Sequence, residues 1–262
     1  MGTLNAPLGT RTARLSPYLG HLIPESRHGI ETWLTQHPDT FLTFSGGKDS
    51  TVALAITREI HPQIPVVFFD SGAEFPQTTQ FITDLATQWN LNLHIHHVNP
   101  PILDILEQSG HWEHGTPKQG AELDMQHACI TRPLADTMTR LNSTHSIYGL
   151  RADESRGRDV ALRAGRGVIT RTRGITAGLR SYAPLWRWTV RDVHTYLATT
   201  NTPTNPLYQA FTAAGVPETK ARVACMVDGW TLNRGHWAIA HQIAPSAARR
   251  IETRLPMLAD YR

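Results

Sequence analysis

An α/β fold, with a mostly parallel five-stranded sheet and helices on both faces, follows from three features of the sequence. Short apolar runs alternate with segments of helical period along most of the chain, the pattern of repeated strand–helix–strand units. The three most unusual loops, at residues 45–50, 70–78 and 149–158, each follow one of those apolar runs. Ligands of such sheets bind beyond the carboxyl ends of the strands, so the three loops should meet at one edge. Finally, 262 residues with 40% hydrophobic and 18% charged content suffice for a sizeable core.

The elements follow in order. Residues 1–26 are interrupted by proline and glycine and read as an arm, without the apolar stretch of a secretory signal. Residues 28–37 place Ile30, Trp33 and Leu34 at helical spacing, so arm and helix occupy 1–37. TFLTF (40–44) reads as a buried strand, with a helix over 51–60. PVVFFD (65–70) is the second strand, followed by a helix around 78–89, and LNLHIHHV (91–98) alternates as the third. A helix is expected over 133–141, strands at SIYGL (146–150) and SYAPL (181–185), and an amphipathic helix over 190–200. The main domain is expected over 38–230 and a helical extension over 231–262. No apolar run approaches the ~18 residues of a membrane span, so a cytoplasmic protein without membrane contact is expected.

Chemistry concentrates at Ser45-Gly46-Gly47-Lys48-Asp49-Ser50, between the first strand and its helix. Backbone N–H groups and the helix dipole receive anions at such a junction. Glycines let a phosphate approach the main chain, Ser45 and Ser50 add hydroxyls, Lys48 neutralises oxygens, and Asp49 is a candidate Mg²⁺ ligand. The spacing differs from the Walker A pattern. A tight turn alone needs the glycines, but not serines on both sides of Lys-Asp.

This hexapeptide resembles the pyrophosphate-binding loop of the N-type ATP pyrophosphatases, the PP-loop superfamily. FFDSGAEFPQT (68–78), GLRADESRGR (149–158) and PLWRWTVRDVHTYLATTNTPTNPLYQ (184–209) resemble segments of its phosphoadenosine-phosphosulfate-reductase branch. The resemblance covers roughly residues 40–230. It implies a Rossmann-like, adenine nucleotide alpha hydrolase-like fold, with ATP and Mg²⁺ as cofactors and cleavage of ATP to AMP and pyrophosphate. Nucleotide binding is then expected at Ser45, Gly46, Gly47, Ser50, Asp70, Gly72, Glu74, Gly149, Arg151, Glu154, Ser155 and Arg158, and catalysis at Lys48 and Asp49. Asp70 and Glu74 are placed to meet a ribose or an ion, and Arg151, Arg156 and Arg158 to clamp phosphates.

Within that branch the reductases carry a C-terminal cysteine nucleophile, whereas this chain ends IETRLPMLADYR. The intact loop, HACITRPL (127–134) and RVACMVDGW (222–230) resemble instead the ATP pyrophosphatases of DNA phosphorothioation, closest to the Ssp type and related to the Dnd type. That likeness implies a DNA acceptor, a cysteine desulfurase and other phosphorothioation proteins as partners, and sulfur handling by Cys129 and Cys225; a homodimer is a further expectation. Arg132 is expected to lower the Cys129 pKa if the two lie close. Only these two cysteines are present, and Asp228 stands where a further thiolate belongs, so no iron–sulfur cluster is expected. Alternatives are sulfonucleotide reduction, thiolation of tRNA or a small molecule, and a non-catalytic nucleotide-binding scaffold.

Charge adds one further indication. Three lysines accompany 22 arginines, a ratio attributable to codon bias, but eight arginines cluster between Arg151 and Arg180, which suits phosphate-rich partners. His94 and His96 share a strand face without a cysteine or carboxylate at ligand spacing. Trp186 and Trp188 read as packing residues.

Overall fold

The computed structural model describes residues 16–109, 127–217, 221–227 and 236–261. Asp228 therefore lies outside the described residues. The sheet is built from β1 (Phe41–Thr43), β2 (Pro65–Asp70), β3 (Asn92–His97), β4 (His145–Ile147), β5 (Val168–Thr170) and β6 (Arg180–Tyr182). Their order is β3-β2-β1-β4-β6-β5. All neighbours are parallel except β5, which runs antiparallel to β6.

Period-two alternation decides which helices cover which face. Leu42 and Phe44, with Val66 and Phe68 of β2, join a core with Ile30, Trp33, Val52, Ile56, Phe81, Ile82 and Val193. These belong to α1 (Leu19–Gln36), α2 (Lys48–Ile60), α3 (Pro76–Trp89) and α7 (Val190–Thr199). Phe41, Val67 and Phe69 point the other way, against Leu134, Met138 and Leu141 of α5 (Arg132–Leu141). The sheet is thus covered on both faces.

Three sequence expectations change. The sheet has six strands rather than five, because β5 was hidden in the arginine-rich loop. Three residues are too few to show a period, and the turn before them holds Arg166 and Gly167 at φ of 49° and 86°. The first helix begins at Leu19, with Pro24 inside it. Proline normally ends a helix by removing a donor and crowding the preceding turn, yet Leu19, Ser26, Ile30 and Trp33 form one buried face across it. α2 begins at Lys48, so the end of the loop is itself the first helical turn.

A second core joins Ile102, Leu103 and Leu106 of α4 (Ile102–Ser109) to Leu207 and Phe211 of α8 (Leu207–Ala213) and to Val223, Met226 and Val227. Trp237 of α9 (His236–Ile243) and Ala247, Ala248 and Ile251 of α10 (Pro245–Arg254) complete it. It lies beside the carboxyl end of β2, since Phe75 N–H donates to Ala224 O at 3.2 Å and Met226 N–H to Ala73 O at 2.7 Å. No helix among the described residues is long and apolar enough to cross a membrane.

Candidate functional site

The three loops converge. Gly46 takes φ +70°, a conformation that favours glycine, and a side chain there would press on Thr78 and Ile82 of α3. Gly149, just beyond β4, packs so closely on the first turn of α2 that an added Cβ would lie 2.5 Å from the Ser50 backbone. The loop closes on itself through long bonds: Gly47 N–H to Ser45 Oγ and Ser45 N–H to Ser50 Oγ, both 3.4 Å. Ser50 and Thr51 hydroxyls each donate to Gly47 O at 2.9 Å.

Lys48 and Asp49 sit in the first turn of α2. Lys48 Nζ is 3.2 Å from Asp49 Oδ2, and Arg151 Nε is 2.5 Å from Asp49 Oδ1. Arg151 also bonds Asp153, and its side chain is only 5% exposed. In this structure Arg151 therefore orients Asp49 instead of holding its guanidinium fork open to solvent. A resident Mg²⁺ does not fit this arrangement. Both Asp49 oxygens already face cations, and no group of three or more His, Cys, Asp and Glu among the described residues could hold a metal.

The rest of the 149–158 loop is locally committed. Glu154 Oε2 accepts the Arg151 amide at 3.0 Å and pairs with the exposed Arg158 at 2.6 Å. Ser155 caps α6 (Arg156–Ala164) by accepting from Arg158 N–H at 3.3 Å. Arg156 is exposed.

At the end of β2, Gly72 takes φ +84°, and its N–H donates to Asp70 Oδ1 at 2.9 Å and Glu74 Oε2 at 3.1 Å. Ser71 donates to Glu74 Oε1 from its amide at 3.0 Å and its hydroxyl at 2.7 Å. Burial and the hydrogen bond with Asp70 raise the Glu74 carboxyl to about 7. Burial opposes ionisation of Asp70 as well. There the hydrogen bonds with Glu74 and Gly72, and His97 at 3.0 Å, outweigh it and hold the group below the usual carboxylate range.

Both cysteines lie against the second core. Burial, reinforced by the charge of Glu74, raises Cys225 to about 12 and Cys129 to about 11. The expected depression of Cys129 by Arg132 is overturned: an uncharged, packed surrounding and a nearby carboxylate disfavour the thiolate. Cys225 pairs with Glu74 in an antiparallel bridge.

Several residues at the site had no assigned role in the sequence reading. Tyr208 Oη accepts the Lys48 amide at 3.0 Å. Asn205 Nδ2 donates to Gly46 O at 3.3 Å and Thr78 Oγ1 at 2.8 Å, tying two loops together. Val223 lies 3.8 Å from where a Gly47 Cβ would stand. The signal was present in NPLY (205–208), but it gives no direction in space. Elsewhere, His94 and His96 are half-buried, with His96 3.8 Å from Asp136 of α5. Trp188 is buried and donates to Ser26 at 3.0 Å, and Trp186 stacks under Arg187.

Proteins similar to this chain include phosphoadenosine 5'-phosphosulfate reductases in sequence and, in fold, a reductase of the same name and an FMN adenylyltransferase. The phosphoadenosine 5'-phosphosulfate reductase of Vibrio cholerae is 28% identical over 213 residues, 79% of this chain and 78% of that protein. Its Enterobacter counterpart is 30% identical over 181 residues, 66% of this chain and 67% of that protein. Among solved structures, the reductase of Candida auris, a phosphate complex, superposes with TM-score 0.55 at 18% identity, covering 78% of this chain and 94% of that one. The FMN adenylyltransferase of Candida glabrata, with FAD and inorganic pyrophosphate, gives 0.55 at 14% identity over 79% of this chain and 65% of that one. A model of the phosphoadenosine phosphosulfate reductase domain matches residues 39–218, more than half of the chain. With its PP-loop at the head of α2 and the 149–158 loop locked onto it, the chain belongs to the phosphoadenosine phosphosulfate reductase domain family.

Proposed function

We propose that this chain binds ATP and cleaves it between the α and β phosphates, releasing AMP and pyrophosphate to activate an acceptor for sulfur incorporation. One observation carries the reading: a complete Ser-Gly-Gly-Lys-Asp-Ser loop opens α2, with Lys48 and Asp49 in its first turn and Arg151 fixing Asp49. The 3.4 Å bonds that close the loop are long, so phosphate oxygens can replace them at little cost. Lys48 then balances charge on the departing pyrophosphate. If Mg²⁺ takes part, it accompanies the nucleotide. In this reading the acceptor is a DNA phosphodiester, the sulfur comes from a cysteine desulfurase, and Cys129 and Cys225 handle it.

A second reading, reduction of a sulfonucleotide, is favoured by the family match and by the names of the curated relatives, which support it more directly than DNA modification. The purified chain is incubated separately with ATP and with phosphoadenosine phosphosulfate plus a dithiol reductant. The first reading expects AMP and pyrophosphate from ATP, with loss of at least about a hundredfold in Lys48→Ala, the scale of removing one transition-state contact. Sulfite release without ATP cleavage, or ADP as the main product, overturns it in favour of reduction or of ordinary hydrolysis.

A further inference from the structure

We propose that Glu74 accepts the proton of the Cys225 thiol through the Ser71 hydroxyl, making Cys225 the reactive sulfur of this site. Ser71 is 4% exposed, and its Oγ lies 2.7 Å from Glu74 Oε1 and 3.6 Å from Cys225 Sγ. One hydroxyl hydrogen serves one acceptor at a time. Held by the carboxylate, it leaves the Oγ lone pairs to accept the single thiol hydrogen, which exchanges between Ser71 Oγ and Val227 O at 3.5 Å. The backbone holds this line of atoms, because segment 224–226 is laced antiparallel to residues 73–75. Val223, two residues earlier, walls the PP-loop at Gly47. The segment that carries the sulfur thus also borders the nucleotide loop, through Val223.

The groups that face Glu74 come from four elements. Asp70 ends β2 and is paired with His97 at the end of β3. Cys129 lies in the short π-helical turn His127–Thr131, and Cys225 on the 221–227 segment. Of the two carboxyls Asp70 ionises first, so Glu74 is the one that titrates near neutrality. A base tuned to that range is suited to take a proton as the sulfur attacks, without a free thiolate forming beforehand.

What the sulfur attacks rests on the proposed sulfur-handling function. With a persulfide donor R–S–SH, the Cys225 S–H proton passes to Ser71 Oγ as the Ser71 proton passes to Glu74. The sulfur electron pair attacks the outer sulfur of the donor, whose S–S bond breaks and leaves as R–S⁻. That thiolate takes the proton back from Glu74. The products are Cys225–S–SH and R–SH, with no net oxidation. Glu74 works through Ser71 and is a positioning residue.

The relay is tested without a sulfur donor. The full chain is alkylated with iodoacetamide across roughly pH 5.5 to 9, a range that spans the titration of a carboxyl tuned toward neutrality while the buried thiol stays protonated, and Cys225 is followed by peptide-resolved mass spectrometry. The expected rate shows an inflection near 7, the Glu74 value. Glu74→Gln removes the inflection and slows the reaction at alkaline pH about tenfold or more. Ser71→Ala does the same while Gly72 still holds Glu74, and Ser71→Thr restores it. A Cys225 rate unchanged in Glu74→Gln, or a wild-type profile without the inflection, overturns the relay. An inflection that persists while inorganic polysulfide adds no sulfur to Cys225 supports the relay and sinks only the sulfur-carrier reading.

Discussion

Asp49 depends on its neighbours more than its place in a motif suggests. Its side chain is 14% exposed and that of Arg151 5%, so deleting either leaves an under-compensated charge at the mouth of the loop. Removing one partner of a buried pair costs about 3–5 kcal/mol. Arg151→Ala is expected to lower stability by roughly 3 kcal/mol and to misplace Asp49, while Arg151→Lys recovers part of the stability without the planar Nε contact. Urea midpoints of the three proteins check this; unchanged midpoints in Arg151→Ala would make Arg151 a peripheral arginine. The motif reading supplied residue types here, but not that Arg151 turns inward while Arg156 and Arg158 stay outside.

Among the elements, the junction of α2 with the loop after β4 is the tightest. Gly149 brings the third loop to the first, and a methyl group there meets backbone at 2.5 Å, which no side-chain rotation relieves. Gly149→Ala should therefore cost about 1–3 kcal/mol, the range for overpacking, and weaken nucleotide binding because the first turn of α2 must shift. Calorimetric melting beside ATP titration tests it; a variant with unchanged melting temperature and affinity would show that the junction yields freely. The longer helices were legible from apolar spacing, β2 from its short apolar run and β3 from alternation. β5 was not, since its pairing with β6 is a long-range bond that three residues do not encode.

Over the whole molecule, the clearest electrostatic signature is a dependence of stability on pH with opposing contributions. Glu74 is raised from 4.5 to about 7, so the folded chain binds more protons than the unfolded one between those values. Its contribution is intact below 4.5 and is lost as pH rises through 7, on the order of 3 kcal/mol for a shift of that size. His37 runs the other way. Burial and the adjacent His145 and Arg180 lower it from 6.5, so its contribution is present above 6.5 and lost as pH falls. Asp39, Asp70 and Asp192 are likewise lowered from 3.8, and their contributions disappear only in acid. Glu74→Gln, which keeps one acceptor oxygen for Ser71 while Gly72 N–H retains Asp70 Oδ1, should flatten the decline between pH 5 and about 7.5. Urea midpoints across that range decide it; a decline of equal size in the variant would place its origin elsewhere.

Local chemistry was enough to read an α/β chain from the sequence, to find the phosphate loop at 45–50, and to expect three loops at one sheet edge. Glycine placement, side-chain period and the direction of parallel strands are properties of short segments, and each is written in a few residues. What required the tertiary structure was the identity of each partner. Tyr208 reaches Lys48 across 160 positions, and Ser71 reaches Cys225 across 154. The buried surroundings that raise both thiols are likewise assembled from α4, α8, α9 and α10. Burial and hydrogen-bond geometry set those properties, and both arise only when segments distant in the chain are packed together.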